Sequence, residues 1–144
     1  MELERNSVKA ATSEVGARPP FVCRVEKELK RAERYLSFIS LVVFELGSNK
    51  HVWDEEFKKK ITKTVERSIR ETDIVGVSDT HRLAVLLVET PRFGAERTAE
   101  RLAVQLAELD PAGKNRGELV VRIHSFPEDP EGKEEFVSTL EQLR

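Results

Sequence analysis

Residues Arg70 to Thr90 read RETDIVGVSDTHRLAVLLVET: two apolar runs, Ile74 to Val77 and Leu83 to Val88, flank a polar turn. The turn, Ser78-Asp79-Thr80-His81-Arg82, brings a carboxylate, two hydroxyls, an imidazole and a guanidinium together. These groups can accept protons, donate to phosphates or ligate metals, yet their order contains no obvious catalytic set. Elsewhere the chemistry is sparse. Gly132-Lys133 lacks the glycine-rich frame of a phosphate-binding loop. His51 and His124 stand at no spacing that completes a closed metal site. Cys23 is the single cysteine and is expected to pack on the inner side of a helix.

The elements that must hold the turn follow from apolar periodicity. Phe21, Val25, Leu29 and Ala32 fall on one helical face, with Lys and Glu opposite, predicting a helix over 21–35. Leu36 to Leu46, LSFISLVVFEL, is a continuous apolar run rich in β-branched residues, the pattern of a strand buried on both faces. Gly47-Ser48-Asn49 ends it. A second helix is expected with Trp53, Phe57, Ile61, Val65 and Ile69 at four-residue spacing. Its other side carries Lys58, Lys59, Lys60, Lys63 and Arg67, a solvated face because Glu55, Glu56 and Glu66 interleave with it. A hairpin then spans the opening stretch. Thr90-Pro91 starts a third helix with Leu102, Leu106 and Leu109 inward, since proline suits a first turn. Lys114 to Gly117 reads as a turn. Glu118 to Phe126 is a strand with Leu119, Val121 and Ile123 inward, and Glu131 to Leu143 a last helix resting on Phe136, Leu140 and Leu143. The order predicts an α/β (α+β) sandwich of ferredoxin-like kind, a mostly antiparallel central sheet flanked by helices.

A chain of 144 residues suits one domain able to bury a real core. Met1 to Pro20, polar and ending in a Pro-Pro pair, reads as a flexible arm or linker ahead of a domain over 21–144. With 24 basic and 26 acidic side chains there is no basic field to hold nucleic acid. No apolar run approaches a membrane span, so no membrane partner is expected. A lone cysteine excludes an intrachain disulfide and suits a reducing cytoplasm.

From about Phe21 to Phe126 the sequence resembles the GGDEF domain of bacterial diguanylate cyclases. EKELKRAERYLSFISLVVFEL is similar to the first helix and strand of that family, RETDIVGVSDTHRLAVLLVET to its signature hairpin without a gap, and AERTAERLAVQLAEL to the next helix. The resemblance implies a nucleotide-cyclase-like fold in which two GTP molecules meet across a homodimer and are joined into cyclic di-GMP. It also implies divalent metals held by carboxylates of the first strand and the hairpin, and hairpin glycines that let backbone approach the nucleotide.

The sequence departs from that pattern at the signature itself. The two glycines become Asp79 and Thr80, the metal-ligating acid becomes His81, the next acid Arg82 and the aromatic Leu83. The metal-binding Asp of the first strand aligns with Glu45, and its second acid with Gly47. Losing ligands and glycine cradle together removes both the electrostatic and the positioning contributions to phosphoryl transfer. The expectation is therefore a catalytically inactive GGDEF-like domain without cofactor, acting as a bacterial signalling or protein-interaction module. The polar turn and the Met1–Pro20 arm are its first candidate contacts, and an unidentified protein, or a second copy in a homodimer, its partner.

One family motif is matched. Arg70-Glu71-Thr72-Asp73 stands five residues before the signature position, where the resemblance implies an inhibitory site for cyclic di-GMP. A guanidinium can clamp a phosphate or guanine edge while a carboxylate accepts from guanine N–H groups. The alternative is structural, a cation at a helix end followed by an aspartate bonding its own turn. If the hairpin lies beside the first strand as the resemblance implies, Glu45 and His81 come close, as weak candidates for a metal or as parts of a polar turn.

Overall fold

The structure, a computed structural model, describes residues 18–46, 54–77, 82–109, 119–129 and 132–143. The Met1-to-Ala17 part of the expected arm, Gly47 to Asn49, His51, Trp53, Ser78 to His81 and Lys114 to Gly117 lie outside them. In chain order the elements are α1 (Arg18–Tyr35), β1 (Ile39–Leu46), α2 (Glu55–Ser68), β2 (Ile74–Val77), β3 (Arg82–Val88), α3 (Arg92–Leu109), β4 (Leu119–Phe126) and α4 (Gly132–Leu143). The four strands pair in the order β2-β3-β1-β4, and every pairing is antiparallel. The expected α+β sandwich is the observed one.

Alternation along the strands divides the core into two layers, as the two-residue period of a strand requires. Ile39, Leu41 and Val43 of β1, with Ala84 and Leu86 of β3, face α1 and α4 and pack with Val25, Leu29, Phe136 and Leu140. Val42 and Phe44, with Leu83, Val85 and Leu87, face α2 and α3 and pack with Ile61, Val65, Leu102 and Leu106. The apolar run of β1 is thus covered on both sides. Residues Phe57, Ile61 and Val65 of α2 are buried as their spacing predicts, and Asp54 caps that helix by accepting from the Phe57 N–H at 2.7 Å.

Several boundaries and one edge differ from the sequence reading. Helix α1 starts at Arg18, inside the segment expected as an arm, so Pro19 and Pro20 lie in its first turn, where no amide donor is needed. It ends in a reverse turn in which Leu36 takes φ 55° and Ser37 N donates to Ala32 O at 3.0 Å, delaying β1 to Ile39. Cys23 is exposed, because Phe21, Val22, Val25 and Leu29 occupy the inward stripe of α1. In β4, Leu119 and Ile123 pack inward, but Val121 is exposed, since the strand is at the sheet's edge. A close contact fixes α1 on the hairpin. A Cβ added at Gly76 would lie 2.5 Å from the Phe21 ring, so the helix seats on β2 only over a glycine.

Candidate functional site

The antiparallel pairing places Glu45, the last acid of β1, opposite Arg82, the one described residue of the polar turn. Arg122 of β4 stands opposite Val43, two residues along on the same face, within diagonal reach of Glu45. The side chains meet. Arg82 Nε donates to Glu45 Oε2 at 2.6 Å, and Arg122 Nη2 lies 3.3 and 3.2 Å from Oε1 and Oε2. The Glu45 side chain is 20% exposed and that of Arg82 28%. One carboxylate thus stands between two guanidiniums, with both Glu45 oxygens engaged. Leu83, the next signature position, is fully buried against the α2–α3 layer. Asp79, Thr80 and His81 lie outside the described residues, as does any approach of His81 to Glu45.

The Arg70–Asp73 motif sits at the opposite end of the sheet. Arg70 is not in the last helical turn. It lies two residues beyond Ser68, where α2 has ended, and the chain turns through Asp73 N donating to Arg70 O at 2.9 Å. The Asp73 side chain is 3% exposed and that of Arg70 56%. Asp73 Oδ2 accepts from Arg70 N at 3.0 Å and from Arg70 Nε at 3.3 Å, while Oδ1 accepts from the Val88 N–H at 2.9 Å. The Arg70 Nη2 group reaches the end of β3, donating to the Val88 carbonyl and, at 2.7 Å, to Thr90 Oγ1. The two side chains of the motif are therefore together, and they tie the start of β2 to the end of β3. The aspartate is enclosed; the arginine faces solvent.

Two further polar clusters were not singled out by the sequence. Arg92 Nη1 pairs with Asp129 at 3.1 and 2.8 Å and donates to the Ile123 carbonyl at 3.2 Å, while Asp129 Oδ2 also accepts from Ser125 N at 2.9 Å. Beside them the buried hydroxyls of Ser40 and Ser125 lie 2.9 Å apart, and Ser40 donates to the Thr90 carbonyl at 2.8 Å. On the α1–α4 face, His124 is held by Thr139 Oγ1, 3.0 Å from Nε2, and by Glu135 Oε1, 3.4 Å from Nδ1. The only advance signal for these was polar residues at inward strand positions, Ser40 among apolar neighbours above all.

No protein-family model matches the chain, and no curated protein does. Solved structures match its fold. It is similar to a DGC protein from Thermotoga maritima, with 21% identity and a TM-score of 0.65 over 88% of this chain and 92% of that one. The active GGEEF domain of a diguanylate cyclase from Vibrio cholerae shares 16% identity with a TM-score of 0.64, over 87% and 88% of the two chains. The GGDEF domain of DgcB from Caulobacter crescentus, solved in complex with c-di-GMP, shares 13% with a TM-score of 0.59 over 94% and 91%. At such identities the likeness concerns architecture. The chain has a GGDEF-like fold.

Proposed function

We propose that this chain is a catalytically silent GGDEF-like domain of the cytoplasm that signals through protein contacts. The observation that carries this reading is the clasp on Glu45. The resemblance aligns this residue with a metal-binding aspartate, and here both of its oxygens face guanidinium groups from the two neighbouring strands. A divalent cation entering there would meet two fixed positive charges and would have to displace a 2.6 Å charge-assisted bond. The sequence of the turn points the same way. Asp79 and Thr80 stand where glycines would admit a nucleotide, and His81 where an acid would hold metal. Without metal or cradle, in-line attack on an α-phosphate lacks both its charge stabilisation and its alignment. Calorimetric titration of GTP with magnesium tests the reading: no heat is expected, and saturable magnesium-dependent binding would refute it.

A second reading, a receptor for cyclic di-GMP, is favoured by the exposure of Arg70 and by the DgcB domain having been solved with that ligand. Asp73 is less available, as both of its oxygens accept from within the chain. Binding would therefore rest on the guanidinium clamping a phosphate or a guanine edge. Titration with cyclic di-GMP separates the two. Binding that disappears in Arg70→Ala establishes the receptor, whereas no heat at millimolar ligand leaves the interaction module alone.

A further inference from the structure

Helices α1 and α4 share one core layer and are joined by the Lys133 Nζ–Glu33 Oε2 pair at 2.6 Å. Their solvent sides carry opposite charge. On α1 the exposed Lys27, Lys30, Arg31 and Arg34, with Tyr35, line a shallow groove of about 410 Å³. The acids of that helix, Glu26, Glu28 and Glu33, are half-buried. On α4 the exposed residues include Glu134, Val137 and Glu141. Lys27 to Arg34 and Glu134 to Glu141 each run through two helical turns, about 10 Å, so cations and acids recur with the same stride. Apolar surface lies among them: Val137 is 45% exposed and Tyr35 65%.

We propose that this layer is the interface of a homodimer in which α1 of each copy lies along α4 of its partner. A twofold axis within the interface, running lengthwise between the two helices, produces that arrangement and repeats each contact twice. An axis across the helices would instead stack α1 on α1, cation against cation. Electrostatics thus selects the partner and also the symmetry. Tyr35, at the end of α1, and Val137 add apolar area to the charged contact. A separate acidic protein would match α1 and leave the acids of α4 uncovered. An anionic lipid surface would attract α1 and repel α4. A second copy satisfies both helices at once. The proposal is independent of whether the Glu45 end is silent.

Sedimentation velocity of the full chain tests it. A dimer is expected at about 50 mM salt and should weaken at least ~10-fold near 1 M, where the screening length falls to roughly 3 Å. The K27E/K30E/R31E/R34E and E134K/E141K variants should each be monomeric, because each makes both helix faces the same sign. Mixed in equal amounts, they should form a heterodimer, since the α1 and α4 of one then complement the α4 and α1 of the other. The mixture also reports on folding, because an unfolded variant could not restore assembly; K30E/R34E, which neutralises α1 without reversing it, should weaken the dimer less than the fourfold variant. A chain that stays monomeric at low salt to about 100 μM, a dimer indifferent to the reversals, or a mixture that remains monomeric would overturn the proposal. So would wild-type monomers that bind anionic vesicles instead.

Discussion

At the end of the sheet where β1 begins and β3 and β4 finish, charged side chains hold the backbone. At the opposite end they hold one another. Asp73 accepts from the amides of Arg70 and Val88, and Asp129 from that of Ser125, while Arg70 and Arg92 donate to the Val88 and Ile123 carbonyls. Glu45, by contrast, meets two guanidiniums from flanking strands, all three partly open to solvent. The first arrangement fixes where strands stop and connections leave. The second fixes the charge of a surface, and a surface charge can change while the fold stands.

The comparison can be broken most forcefully at Asp73. Asp73→Ala should destabilise the chain by about 2–3 kcal/mol, because it strands the Arg70 and Val88 amides and the Arg70 guanidinium that all bond one enclosed carboxylate; urea unfolding measures this. Ser40→Ala, at the same end, removes the partner of the Thr90 carbonyl and of Ser125. Its expected cost is about 1–2 kcal/mol by the same method. Glu45→Gln at the other end should cost only about 1 kcal/mol, since water can reach the two arginines. A Glu45 loss exceeding that of Asp73 would reverse the contrast. The smallest effect is expected at Leu36, held at φ 55° and 82% exposed. Leu36→Gly should raise stability by about 0.5–1 kcal/mol in thermal unfolding, as left-handed strain is relieved without loss of packing.

Much of the frame was legible in the sequence because burial has a period. The unbroken apolar run of β1 signalled two covered faces, and the four-residue stride of α2 located Phe57, Ile61 and Val65. What could not be read depends on strand order. Val121 alternates like an inward residue, yet it is exposed because β4 has a neighbour, β1, on one side among the described residues. Arg122 alternates with Val121 and Ile123, and nothing local announces that β4 lies next to β1 and brings it to Glu45. The Arg70–Asp73 pair is an intermediate case. Its turn was readable from local chemistry, and the hairpin pairing of Ile74 with Leu86 places Asp73 level with the end of β3. The bond to the Val88 amide follows from that register once it is known.

The proposed silence of the Glu45 end is tested most directly by incubating the purified chain with GTP and magnesium and resolving the products by chromatography. The account predicts unchanged GTP and no cyclic dinucleotide, for the chain as it stands and for Arg70→Ala alike. Accumulation of cyclic di-GMP, abolished by Glu45→Gln, would contradict it.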